Sequence, residues 1–123
     1  MRSRSSGSSG VVFLDRERAL ADVRRAVGLL GARCPGVREV WLFGSLARGN
    51  ATPSSDADLL IVVDRDERRP MDREPEMALL LAEAGLRRPA DLTVVTAAEW
   101  TESTGTAFHR EVVTRGVKLL PQS

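Results

Sequence analysis

"WLFGSLARGNATPSSDADLLIV", residues 41–62, joins two apolar runs through a stretch of small and polar residues. The first run stops at Gly44-Ser45, and the second begins with Asp56 and Asp58, one residue apart. Upstream, "VREVWLF" (37–43) has the β-branched and aromatic content of a strand. Downstream, "ADLLIVV" (57–63) is almost continuously apolar, the pattern of a sheet strand covered on both faces. A strand, a turn opening on Gly-Ser, and a buried strand headed by two acids is therefore the unit around which the rest is arranged.

Toward the N-terminus, a plausible N-cap at Asp15 precedes Leu20, Val23, Val27 and Leu30, apolar residues at helical spacing among charged ones. Gly31 and the Cys34-Pro35-Gly36 cluster end that helix. Toward the C-terminus, "DRDERRP" (64–70) mixes both charge signs and reads as a solvated loop. A second amphipathic helix is expected over 72–86, with Pro75 in its first turn, Met77, Leu80, Leu81 and Ala84 as its apolar stripe, and Gly85 as its exit. "ADLTVVT" (90–96) is a third strand, "AAEW" a short turn or helix, "TAFHREVVTRG" a last helix closed by Gly116, and "VKLL" a final short strand. Three to four strands alternating with helices define an α/β (α+β) layer, a mixed β-sheet covered by helices.

Composition narrows the function. At 123 residues, 42% hydrophobic and 28% charged, the chain has the balance of a globular domain, and no apolar stretch approaches the ~20 residues that cross a bilayer. Net charge is +1, so no global field favours nucleic acid or anionic lipid, and any phosphate site must be local. The single cysteine, Cys34, suits a reducing cytoplasm, which is the expected location. "MRSRSSGSSG" lacks the apolar region of a secretory signal and has the composition of a flexible coil, so residues 1–10 are expected to be a Ser/Gly-rich tail and 11–123 the domain.

Strand side chains alternate faces, so Asp56 and Asp58 point the same way, roughly 6 to 7 Å apart along the chain. Like charges held so close drive at least one pKa upward, and a hard divalent cation relieves the conflict. An isolated Asp-x-Asp also serves simply as a turn cap. Two further features favour the metal. Gly44 and Ser45 end a strand where a helix is expected to start, so free N–H groups can meet an anion, although Ser45 would equally serve as an ordinary N-cap. Asp91 heads another strand, and if that strand neighbours 57–63 its carboxylate lands beside the first two. Gly-Ser for a triphosphate and three acids for metal is the equipment of two-metal phosphoryl or nucleotidyl transfer.

The motif Gly44-Ser45, ten residues, then Asp56-Ala57-Asp58, set in "VWLFGSLARG" and "SDADLLIVV", resembles the DNA polymerase beta nucleotidyltransferase superfamily, specifically its minimal nucleotidyltransferases. The likeness covers residues 37 to 120, since "ADLTVV" resembles the family's later strand and "FHREVVTRGVKLL" its closing helix and strand. It implies the polymerase beta-like fold, two Mg²⁺ ions held by Asp56, Asp58 and Asp91, and a nucleotide held by Gly44, Ser45 and Arg48. Arg48 matches the family's arginine and suits either phosphate or a carboxylate, whereas Leu46 stands where many relatives carry a basic residue. The resemblance further implies transfer of a nucleoside monophosphate from an NTP, AMP from ATP, to a hydroxyl. Because the chain ends soon after this core, it resembles most the nucleotidyltransferase of a toxin–antitoxin module, whose partner is a HEPN-family protein modified on tyrosine. A catalytically weak antitoxin that neutralises its partner by complex formation is the second reading. His109 is expected to pack rather than react, as is Trp41; both Trp41 and Trp100 are also able to stack on a base.

Overall fold

The computed structural model describes residues 4–49 and 56–121, with side chains from Arg16 onward. The expected strands form where the apolar runs lie: β1 (Val37–Phe43), β2 (Ala57–Val63), β3 (Ala90–Thr96) and β4 (Val117–Leu120). They make one mixed sheet in the order β3-β2-β1-β4. β1 runs antiparallel to both β2 and β4, while β2 and β3 are parallel.

The run 57–63 is apolar throughout because both of its faces are covered. On one face Leu59, Ile61, Val40, Leu42 and Val94 pack against α1 (Arg4–Arg33) and α3 (Pro70–Glu83). On the other, Leu60 and Val62 join Trp100 of α4 (Ala97–Glu102) and Val112 of α5 (Ala107–Arg115). The stripe Leu20, Val23, Val27 and Leu30 is buried, as its spacing requires. No described helix is long and apolar enough to cross a membrane.

Two local expectations are corrected. α1 starts at Arg4, so Asp15 lies within the helix and the helical backbone extends into the stretch expected to be a flexible tail. Adding residues to an existing helix avoids the cost of nucleation, which lets it run through poor formers. Residues 1–3 and the side chain of Asp15 lie outside the described residues. In α3 it is Pro70 that occupies the first turn, and Pro75 lies inside the helix. Gly85 does end α3: it has φ +96°, its N–H donates to Ala82 O, and the Leu86 N–H donates to Leu81 O, together a Schellman closure. The loop 64–69 is solvated as its mixed charges suggest, with all of its residues exposed except half-buried Asp66, and it is also anchored from within the fold. Arg73, only 3% exposed, donates to the carbonyls of Asp66, Arg68 and Val94 and to both Glu99 carboxylate oxygens.

Candidate active site

The sheet register brings two of the expected acids, Asp58 and Asp91, to one end of the sheet, and Asp56 directly precedes β2. Phe43 pairs with Asp58, and Asp58 pairs with Asp91, so the three residues share a face and an end. The Ala57 N–H donates to Pro89 O at 3.0 Å, tying the entry of β2 to the entry of β3. This face is the one covered by α4 and α5, and at this end Asp56 and Asp91 are exposed while Asp58 is partly buried. Burial pushes the Asp58 carboxyl above the ordinary range, the charges of Asp91 and then Asp56 push it further, and Arg48 opposes them. The acids thus act on one another across the strand heads, as their spacing suggested.

α2 (Gly44–Arg48) begins where β1 stops. Its N-cap is Phe43, which offers no capping side chain, so Ser45 sits inside the first turn rather than at the cap. Gly44 has φ +76°, which swings the chain from the strand into the helix. A Cβ there would collide with Asp58 Oδ2 and stand 2.9 Å from Asp58 Cγ. The missing side chain thus makes room for the very acid that the register aligns with Phe43.

The other end of α2 is fastened twice. Arg16 of α1 donates to Leu46 O at 3.3 Å and to Ala47 O at 3.2 Å. Arg48 reaches Glu111 of α5 at 3.4 Å, an exposed ion pair, and Phe108 of α5 meets Phe43 edge to face with ring centroids 5.4 Å apart. Arg48 thus has a carboxylate neighbour in Glu111, an exposed pair that leaves its guanidinium accessible. Arg16 and Glu111 were not singled out from the sequence, because charged residues on amphipathic helices read as solvent-facing and only the fold shows what they reach. Away from this edge, His109 stacks on Trp100 at 4.3 Å, and Trp41 donates to Glu39 at 2.9 Å, both in packing roles.

Asp56, Asp58 and Asp91 offer only carboxylate oxygen, the donor set of a hard divalent cation, and the upward shift of Asp58, due first to burial and then to its acidic neighbours, is of the kind such an ion would offset. Among the described residues, no three His, Cys, Asp or Glu side chains are gathered around a single point. What matches a cation is the donor chemistry of the three carboxylates and their place at one end of the sheet, not a cluster already drawn together around an ion.

A mixed four-strand sheet with helices on both faces and this edge of acids defines an α+β nucleotidyltransferase fold. A crystal structure of a Sulfolobus solfataricus protein assigned as a nucleotidyltransferase has this fold, with TM-score 0.61 and 24% identity over 87% of this chain and 84% of that one. Two toxin–antitoxin structures are also similar. One, crystallised with AMP-PNP, gives TM-score 0.51 and 23% identity over 80% of this chain and 73% of that chain. The other is the MntA-HpeT toxin–antitoxin with two aspartates changed to glutamate, at TM-score 0.53 and 28% identity over 79% and 71%. None of the curated proteins matches the sequence. Residues 23–114 match the model of the nucleotidyltransferase domain, and the chain belongs to that family.

Proposed function

We propose that the chain is a Mg²⁺-dependent nucleotidyltransferase that moves AMP from ATP to a tyrosine hydroxyl of a HEPN-family toxin and so acts as its antitoxin. The observation that carries this reading is the register Phe43–Asp58–Asp91, which aligns the Gly-Ser turn with two of the acids at one sheet edge. Similarity to two toxin–antitoxin structures, one holding AMP-PNP, supports a toxin partner and an adenine nucleotide.

In this reading Asp56, Asp58 and Asp91 hold the cation. Bound there, Mg²⁺ would supply Lewis-acid stabilisation of charge on the phosphate oxygens. Gly44 and Ser45 present backbone N–H groups and a hydroxyl to the phosphates, orienting them against the strand heads. Arg48, whose charge already reaches Asp58, adds a guanidinium on the nucleotide side. As the tyrosine oxygen bonds to the α-phosphorus and pyrophosphate leaves, Asp91 takes the hydroxyl proton.

The test is incubation of the chain with Mg²⁺, α-labelled ATP and a HEPN protein encoded beside it. Label is expected on a partner tyrosine with the wild type and is expected to vanish with Asp58→Asn. Transfer that survives Asp58→Asn overturns the metal role. A stable complex without any transfer replaces the enzyme by a binding antitoxin.

A further inference from the structure

On the α1 side of the sheet, an open groove of about 640 Å³ runs between the middle of α1 and the connection from α3 to β3. Arg18, Arg25, Arg87 and Arg88 line it, with Asp22 as the acid among them and Ala19 at its base. This is a local concentration of positive charge on a chain whose net charge is only +1. Asp22 is committed to building the groove. It accepts from Arg25 at 2.5 Å and from the Arg87 backbone N–H at 3.2 Å, while Arg25 also donates to Gly85 O at 3.2 Å. The two walls are thus latched together, and the guanidinium groups of Arg18 and Arg87 stand at its exposed rim.

We propose that this groove docks a carboxylate-rich segment of a partner protein. Guanidinium forks match carboxylates two bonds at a time, and the exposed Arg18 and Arg87, on opposite walls of a latched frame, give a peptide a fixed register rather than a diffuse attraction. No aromatic side chain lines the groove among the described residues, so it lacks the stacking platform that single-stranded nucleic acid uses. The Arg87-Arg88 wall leads directly into β3, whose head carries Asp91. A protein held here therefore meets the chain at the same end of the sheet as the candidate active site. The docking itself does not depend on the nucleotidyl-transfer reading.

The full chain is titrated into a fluorescein-labelled Glu/Ser peptide, with a Gln/Ser peptide and a labelled single-stranded oligonucleotide in parallel, and anisotropy is read. The acidic peptide is expected to bind with strong salt dependence, and Arg18→Glu/Arg87→Glu is expected to weaken it by about tenfold or more. Arg18→Gln/Arg87→Gln, which carries a smaller charge change, is expected to fall between. Binding unaltered by either variant overturns the proposal. Tighter capture of the oligonucleotide, lost in the same variants, reassigns the groove to nucleic acid; a wild-type dimer that these variants dissolve in sedimentation reassigns it to a second copy. Asp58→Asn is expected to leave peptide binding intact, so failure of the active site and failure of the groove are read separately.

Discussion

Gly44 and Asp58 are a coupled pair, one residue giving up its side chain so that the other can lie across the start of α2. Gly44→Ala meets two obstacles, the positive φ and the Asp58 carboxylate, and is expected to lower stability by about 1–3 kcal/mol in urea titration. Adding Asp58→Ala to that variant removes the collision and leaves the backbone strain, so the double variant is expected to recover part of the loss, with a coupling of about 1 kcal/mol. Half of this relation is legible in the sequence. A Gly-Ser after a strand announces a turn, and an Asp-x-Asp before an apolar run announces charge under pressure. That the glycine serves the aspartate depends on antiparallel pairing of β1 with β2, which periodicity does not encode. Arg48 was legible as a residue of two possible partners, and its pairing with Glu111 required α5 to be in place.

Elements that announce themselves by continuous apolar content or by turn chemistry were readable. The strands at 37–43, 57–63, 90–96 and 117–120 and the exit of α3 at Gly85 follow from side-chain volume, branching and glycine. The start of α1 was not, since a Ser/Gly stretch has no strong preference of its own and the neighbouring helix extends into it. Arg73 was hidden for a different reason. In an amphipathic pattern an arginine counts as polar surface, yet here it is buried and joins α3, loop 64–69, β3 and α4. Arg73→Ala would strand three carbonyls and part the Glu99 pair, and it is expected to lower stability by about 2–4 kcal/mol. Hydrogen bonding to Arg73 is the main reason the Glu99 carboxyl titrates below its ordinary 4.5. Folding therefore favours ionised Glu99: the contribution is complete above about pH 4.5 and is lost as pH falls through the lowered folded value. Urea midpoints measured from pH 6 down to pH 3 should fall more steeply for the wild type than for Glu99→Gln; parallel profiles would remove Glu99 from the acid response.

Across the whole molecule the sheet divides its labour by face. The α1 and α3 side holds the larger core, whereas the α4 and α5 side gives way at one end to an edge of carboxylates. That edge is held against the preference of its own charges, and the cost falls on folding. Since the Asp58 carboxyl titrates above its ordinary 3.8 in the folded chain, the folded state holds its proton longer than the unfolded one. Stability from this group consequently declines as pH rises from about 3.8 through the raised value, and at neutral pH the ionised carboxylate is a net burden. Asp58→Asn lifts it, so without divalent metal the variant is expected to melt about 2–5 °C above the wild type at pH 7. Millimolar Mg²⁺ with AMP-PNP should reverse the order, because a ligand that binds only the folded state raises the wild-type Tm in proportion to the logarithm of its concentration. Asp58→Asn, short of one carboxylate, should gain little from the same addition. Scanning calorimetry of both proteins, with and without the pair of ligands, reads the two effects together. Equal melting temperatures in the absence of metal would show that the strand heads carry no electrostatic strain, and equal ligand shifts would show that the cation is held elsewhere.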